Sequence, residues 1–146
     1  MPRSTRTQRP VAEPRPSRGL IDTSVVIDLD RIDLADLPAE VAISAITLAE
    51  LASGPHATAD PAERARRQDR LQRAESTFEP LPVDADVARA YGRVYSAVVA
   101  LGRKARGRRA FDLLIAATAV AAGLPLYTRN PDDFTGLSDV VQIVPV

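Results

Sequence analysis

GLIDTSVVIDL, at residues 19–29, indicates the fold of this chain more clearly than any other segment. It opens with a short apolar strand that ends at Asp22, and the segment from Val25 to Leu29 then has the pattern of a short helix. A strand that leads directly into a helix begins the alternation from which parallel sheets are built. Ligands bind at the carboxyl edge of such sheets, so the acid at the end of this strand is a candidate for chemistry.

The alternation of strands and helices continues along the chain. Further strands are predicted over residues 41–43, 124–128 and 140–144. Helices are predicted over residues 44–51, 61–78, 84–101 and 111–122, with N-caps at Ser44 and Asp84 and a capping box from Asp60 to Glu63. The helix at 111–122 is apolar on nearly every face and should be largely buried, and Leu101 should complete the apolar stripe of the preceding helix. This pattern predicts a three-layer α/β/α sandwich with a mostly parallel central sheet.

The composition limits both the number of domains and the possible chemistry. The chain has 146 residues, enough for one ordinary domain, and no cysteine, which excludes disulfides, thiol catalysis and cysteine-based zinc sites. Its single histidine, His56, cannot build a histidine-rich metal site. Residues 1–17, rich in Pro, Arg, Ser and Thr, are expected to form a disordered basic tail, and residues 18–146 the folded domain. Because no apolar stretch approaches the ~20 residues of a membrane span and no secretory signal is recognised, a cytoplasmic protein without a membrane partner is expected.

Three acids stand in aliphatic surroundings where a lone carboxylate would be expensive to bury. Asp22 ends an apolar strand, Glu50 lies within the helix at 44–51, and Asp112 follows Phe111 in what should be the first turn of a helix. Further acids, at 132–133, follow the strand at 124–128. In a parallel sheet all of these positions meet at one edge, where several carboxylates repel one another unless a cation lies between them. Oxygen ligands without histidine or cysteine indicate a hard ion, Mg²⁺ or Mn²⁺.

Each acid also has a purely structural explanation. Asp22 is well placed to cap the helix that follows it, and Glu50 could pair with an arginine. Asp112 could serve only as a partner of the helix dipole, and the acids at 132–133 lie in a predicted turn, where acids are common. That all of these explanations hold together is much less probable than that any one of them does.

Four segments resemble the motifs of PIN domains, in the expected order and spacing. They read LIDTSVVI at 20–27, SAITLAEL at 44–51, FDLLIAATA at 111–119 and LYTRNPDDF at 126–134, and the last is similar to the closing motif of VapC-like toxins. Any one of these motifs is weak, whereas four in series, covering the chain from about residue 19 to its end, are specific.

The resemblance implies a set of site residues. Asp22 and Asp112 would be metal ligands, and both would act in catalysis together with Glu50 and Asp133. Asn130 occupies the place where many PIN domains have an aspartate, which leaves Asp133 to supply the charge through a water molecule. Side chains that would orient the ligands or the phosphate are Thr23, Ser24, Thr47, Thr128 and Asn130. The basic run Arg103, Lys104, Arg106, Arg108 and Arg109 would either contact RNA phosphates or form a solvated loop.

The function implied by the resemblance is that of a metal-dependent endoribonuclease toxin that inhibits translation and growth. Mg²⁺ or Mn²⁺ would be the cofactor, and RNA the substrate. The family also implies a homodimer and a VapB-like antitoxin that neutralises the toxin in a heterotetramer or larger assembly. Two alternatives remain open: a catalytically weak PIN-like RNA-binding module, and an aspartate-cluster phosphohydrolase or receiver-like domain. The second is disfavoured on two grounds. A receiver needs a lysine at the end of a late strand, and the only lysine, Lys104, lies in the basic run. A phosphohydrolase of the Asp-x-Asp type needs a second aspartate two residues after Asp22, where this chain has Ser24.

Overall fold

The computed structural model describes residues 17–103 and 107–146. Its four strands are β1 (Arg18–Ile21), β2 (Glu40–Ala42), β3 (Leu126–Thr128) and β4 (Ile143–Pro145). They form one parallel sheet in the order β2-β1-β3-β4. The helices are α1 (Thr23–Ile27), α2 (Ala45–Ser53), α3 (Pro61–Thr77), α4 (Ala85–Ala100) and α5 (Arg108–Ala122), and short 3-10 turns lie at Leu29–Arg31, Leu34–Asp36, Gly54–Ala57 and Pro131–Phe134.

Adjacent residues of the two central strands enter different hydrophobic cores, because successive side chains of a strand point to opposite faces of a sheet. Leu20 of β1 and Leu126 of β3 pack with α4 and α5 on one face. Ile21 and Tyr127, the next residues in each strand, pack with α1 and with Ala74 of α3 on the other. Helices therefore cover both faces, and the predicted α/β/α sandwich is confirmed.

Most predicted helix starts agree with the structure. The predicted N-caps are Ser44, Asp60 and Asp84. The side chain of each accepts a hydrogen bond from a backbone N–H in the first turn of its helix. The capping box is wrong in its second half, since Glu63 does not reach back to its helix start. Its carboxylate instead contacts the guanidinium groups of Arg66 at 2.7 Å and Arg67 at 3.0 Å. In these pairs both partners are charged, whereas in a capping box the Glu63 carboxylate would accept from an uncharged backbone N–H.

The start of α5 corrects a prediction that bears on the site. The helix begins at Arg108, not near residue 111, after Gly107 adopts a positive φ of 63°. Arginine and alanine are good helix formers, so the helix extends backwards into the basic run. Asp112 is thus the fifth helical residue. The helix dipole favours an anion in the first turn, and Asp112 lies beyond that turn.

Two apolar residues and one strand boundary also differ from expectation. Phe111 is 48% exposed and Leu101 is 54% exposed, although both were predicted to be buried. Phe111 is the fourth residue of α5, and Leu101 is the C-cap residue of α4. The strand at 140–144 begins only at Ile143, because the N–H groups of Val140 and Val141 close a turn on the Leu137 carbonyl.

The predicted tail falls outside the described residues except for Ser17. The Ser17 carbonyl accepts a hydrogen bond from the Glu40 N–H at 2.9 Å, so the contact between β1 and β2 begins one residue before the predicted domain boundary. Among the residues that the structure describes, no helix is both long enough and apolar enough to cross a membrane.

The strand order creates a crevice at the carboxyl edge of the sheet. β1 lies between β2 and β3, so the chain passes from one side of β1 to the other on its way from β2 to β3. At such a reversal the connections leave the two central strands in opposite directions and open a site between them. Asp22 follows β1 at this edge, and Arg129 follows β3.

Candidate active site

Asp22 is the most deeply buried of the predicted acids. It is 5% exposed, and its Oδ1 accepts hydrogen bonds from Ser24 Oγ at 2.6 Å and from the Val25 N–H at 3.1 Å. Burial raises the pKa of the Asp22 carboxyl group, and hydrogen bonds from the Ser24 and Thr128 hydroxyl groups and from backbone N–H groups oppose that rise. Asp22 therefore does cap α1, as its structural explanation proposed. The cap uses Oδ1, however, and a carboxylate has a second oxygen that capping does not require.

Hydroxyl groups connect the ends of the two central strands. Ser24 Oγ accepts a hydrogen bond from the Arg129 N–H at 3.1 Å and lies 3.5 Å from Thr128 Oγ1. The Arg129 side chain forms an ion pair with Asp28 at 3.3 Å. Sequence reasoning missed Asp28 and Arg129, and no local signal could have revealed the pair, because its members come from distant parts of the chain. These contacts fix α1 against the end of β3, and Asp22 with it.

Glu50 is held by a second set of hydroxyl groups. Thr23 Oγ1 donates to Glu50 Oε1 at 2.8 Å and lies 3.1 Å from Thr47 Oγ1, which in turn lies 3.3 Å from Ser44 Oγ. Glu50 is half-buried and forms no ion pair with an arginine in the described part of the chain. Arginine pairing therefore does not account for this acid.

Asp112 shows that the predicted acids interact. Burial raises its pKa first, and the negative charges of Asp133, Glu50 and Asp22 raise it further, to about 6. The positive charge of Arg109 opposes the increase but does not cancel it. Negative charges raise the pKa of a carboxyl group when they lie near it in a partly desolvated site, because they disfavour its ionised form. The fold thus brings four acids from four separate sequence segments to one edge.

The remaining predicted residues contribute unequally. Asn130 is exposed and its side chain makes no hydrogen bond to another described residue; its carbonyl accepts from the Asp133 N–H at 3.0 Å. Arg103 and Arg109 each approach a backbone carbonyl of the Pro131–Phe134 turn, at 3.4 Å. Lys104, Arg106 and the side chain of Arg108 lie outside the described residues.

A divalent cation fits the chemistry of this edge, although the ligands are not gathered into a finished cage. Within residues 17–103 and 107–146, no three acid or histidine side chains converge as a ready-made ligand set. All candidate ligands are carboxylate or hydroxyl oxygens, and the repulsion that raises the Asp112 pKa is relieved by positive charge. Mg²⁺ commonly uses one or two carboxylates and keeps several waters, so a closed cage is not required.

A wide cleft opens beside these acids. It has a volume of about 600 Å³, begins at Thr23 and Glu50, and extends across α5 to α3. The sequence gives no sign of this cleft, because its walls come from four helices, α1, α2, α3 and α5, whose relative placement depends on packing.

Comparison with known proteins identifies relatives over most of the chain. The model of the PIN domain matches residues 20–139. The chain is 37% identical over 131 residues to ribonuclease VapC5 of Mycobacterium tuberculosis, covering 88% of this chain and 93% of that one. Ribonuclease VapC8 of the same species is 40% identical over 102 residues, or 69% of this chain and 89% of the relative. The crystal structure of VapBC-5, a toxin-antitoxin system of Mycobacterium tuberculosis, superimposes with a TM-score of 0.79 and 40% identity, covering 90% of this chain and 100% of the other.

Proposed function

Since the chain belongs to the PIN-domain family and is a VapC ribonuclease, we propose that it hydrolyses RNA in a metal-dependent reaction at the acidic edge of its sheet. The observation that carries the proposal is the Asp112 carboxyl group, whose pKa is raised to about 6 by burial and then by the negative charges of Asp133, Glu50 and Asp22. A fold gains nothing by gathering four like charges, so their shared position is best explained by a bound cation.

Asp22 and Asp112 are the proposed ligands of the ion. Ser24 and Thr128 hold the Asp22 carboxylate from the side of α1 and β3, so that it keeps one orientation when the ion binds or leaves. Mg²⁺ or Mn²⁺ would supply positive charge for the phosphate and lower the pKa of an attacking water.

Glu50 and Asp133 are proposed to orient the attacking water by accepting its hydrogen bonds. The Thr23 hydroxyl group fixes Glu50 Oε1, and the buried Thr47 supports Thr23. Asp133 is held by its N–H bond to the Asn130 carbonyl, so Asn130 acts through its backbone in this proposal. Arg103 and Arg109 would keep the Pro131–Phe134 turn in place as well as add positive charge for RNA. Lys104, Arg106 and Arg108 remain candidate RNA contacts from the sequence alone.

Cleavage assays with two site variants and one control variant test the reaction. The purified protein should cut RNA in Mg²⁺ or Mn²⁺ and stop when EDTA is added. Asp112→Asn and Asp22→Asn should each lower the cleavage rate by at least 100-fold, whereas Asp139→Asn, which removes an exposed acid, should leave it unchanged. Undiminished cleavage in EDTA would exclude the metal mechanism.

We also propose that a VapB-like antitoxin neutralises the protein, in an assembly of toxin homodimers. A cavity of about 320 Å³ between α1 and α3 is lined by the apolar side chains of Val26, Ala74 and Phe78 and by charged side chains of both signs, among them Arg66, Asp69 and Arg73. Such a cavity suits an amphipathic peptide segment that places an apolar side chain in it. The proposed place of action is the cytoplasm, where RNA and antitoxin are both present.

Expression in cells tests this second proposal. The chain alone should arrest growth by inhibiting translation, and co-expression of the antitoxin should restore growth and yield a stable complex. Normal growth on expression of active protein, with no antitoxin that binds it, would contradict the toxin assignment.

A further inference from the structure

Phe111 stands out from the helix that carries it. The helix α5 is otherwise well packed, with Leu113, Ile115, Ala116 and Ala117 at most 1% exposed, yet Phe111 exposes 48% of its surface. The chain has only three phenylalanines, and Phe134 is 2% exposed. Leaving an apolar ring in water forgoes about 1–2 kcal/mol of burial free energy. Single exposed apolar residues are common, so what distinguishes Phe111 is its position next to Asp112.

The Phe111 ring lies in the cleft that begins at the acidic edge. Thr23 and Glu50 line this cleft together with Phe111 of α5 and with Arg67 and Arg70 of α3. The volume of about 600 Å³ is within the range of sites that hold a nucleotide-sized ligand.

The two arginines of the cleft differ in what they can bind. Arg67 is already engaged, with Nε at 3.0 Å from the Glu63 carboxylate and Nη1 donating to the Gly54 carbonyl at 2.9 Å. Arg70 is half-buried and forms neither an ion pair nor a hydrogen bond with any residue in the described ranges. The cleft thus combines one aromatic face with one cation that is free to take an anion.

We propose that this cleft is a subsite for a single-stranded nucleotide next to the scissile phosphate, with its base stacked on Phe111 and its phosphate on Arg70. The proposal rests on the proposed RNA cleavage and names where the substrate continues beyond the acids. An unpaired base stacks on an exposed ring whatever its identity, because every base has a π face. Arginine supplies a planar, charged fork for the phosphate oxygens.

The position of this cleft favours a nucleotide over a protein segment. Thr23 and Glu50 of the acidic edge are part of its lining, so RNA bound at the acids would continue into it. The cavity between α1 and α3 shares Ile27 and Arg70 with the cleft, but neither Thr23 nor Glu50 lines it.

Binding of a short single-stranded RNA in EDTA tests the subsite without cleavage. Phe111→Ala should weaken binding by about tenfold, and Phe111→Leu should weaken it nearly as much, since leucine is apolar but has no π face. Phe111→Tyr should bind like the parent. Tyr95→Ala is the matched control, because Tyr95 is 45% exposed on α4 and does not line the cleft. Arg70→Ala should weaken binding and flatten its salt dependence, whereas Arg93→Ala, an exposed arginine of α4, should not.

A 2-aminopurine base at each RNA position in turn supplies an independent signal. One position should be quenched by the parent and by Phe111→Tyr but not by Phe111→Ala or Phe111→Leu. If Phe111→Ala binds RNA as tightly as the parent, the subsite is overturned and the proposed RNA cleavage still stands. The same holds if that variant also loses antitoxin binding or changes its oligomeric state. RNA binding that depends on Phe111 in a protein that never cuts RNA would instead overturn the proposed function and leave the subsite standing.

Discussion

The Asp112 carboxyl group shows how a single residue reports on the whole site. Its ordinary pKa of 3.8 rises to about 6 in the folded, metal-free protein. A carboxyl group that binds its proton more tightly when folded lowers the free energy of unfolding as pH rises through this interval. The penalty is absent below about pH 4, grows between pH 4 and 6, and is complete at neutral pH.

Asp112→Asn should therefore stabilise the metal-free protein near pH 7.5. We expect a gain of about 1 kcal/mol in the free energy of unfolding, because the group is partly exposed and water screens part of the repulsion. The gain should vanish at pH 4, where the parent carboxyl group is protonated. Urea denaturation at the two pH values, in EDTA and with Asp139→Asn as control, measures it. A variant that is less stable than the parent at both pH values would show that Asp112 has a structural role.

Bound metal should make the parent more stable than Asp112→Asn, the reverse of the order expected without metal. As Mn²⁺ rises to about 100 times its dissociation constant, the parent should gain roughly 2.7 kcal/mol, and Asp112→Asn should gain much less. Thermal melts across the titration give this result without any cleavage assay. Equal gains in both proteins would mean that the ion binds elsewhere.

At the scale of elements, the contact between β1 and β3 depends on the absence of one side chain. A Cβ atom at Gly19 would lie 2.5 Å from the Tyr127 ring and 2.9 Å from Pro38 Cγ. Tyr127 is 2% exposed and cannot move outward without opening the core on the α1 face. The Tyr127 ring of β3 therefore packs directly over the Gly19 backbone of β1.

Gly19→Ala should therefore destabilise the protein, against the usual benefit of replacing glycine in a strand. We expect a loss of about 1–3 kcal/mol from overpacking. Gly92→Ala is the matched control, since Gly92 lies within α4 with nothing within 4 Å of a Cβ atom, and it should stabilise by about 0.5–1 kcal/mol. Denaturant midpoints of both variants measure the difference. A neutral or stabilising Gly19→Ala would mean that Tyr127 adjusts readily.

At the scale of the whole molecule, the folded domain and the N-terminal segment should separate cleanly. Among the described residues, both hydrophobic cores are assembled from residue 20 onward. Residues 1–16 carry four arginines and one glutamate, and this excess of positive charge suits phosphate contacts.

Deletion of residues 1–16 should leave the melting temperature unchanged and weaken RNA binding, more at low salt than at high salt. The reason is that arginine–phosphate contacts release counterions from the RNA, and that gain shrinks as salt rises. Affinities measured at several salt concentrations should give a shallower salt slope for the shortened chain. A marked fall in melting temperature would show that the segment belongs to the fold.

The elements of the fold were predictable because they follow from local chemistry. The caps at Ser44, Asp60 and Asp84 act within a few residues, and the apolar runs that form β1 and β3 are visible in the sequence. The start of α5 was missed because a run of arginines reads equally well as a loop or a helix. The acids could be selected from the sequence because a carboxylate among aliphatic residues is unusual. The resemblance of the four motifs pointed to the same residues.

The amino-acid sequence was enough to predict a parallel sheet and carboxylates that end its strands or lie on the helices beside them. It could not predict that Asp133 lies near enough to raise the Asp112 pKa, that Arg129 pairs with Asp28, or that Phe111 lies exposed in a cleft with Arg70. The difference is one of distance along the chain. Caps and apolar periodicity act over a few residues, whereas repulsion between carboxylates, ion pairs and cleft walls depend on how distant segments pack against one another.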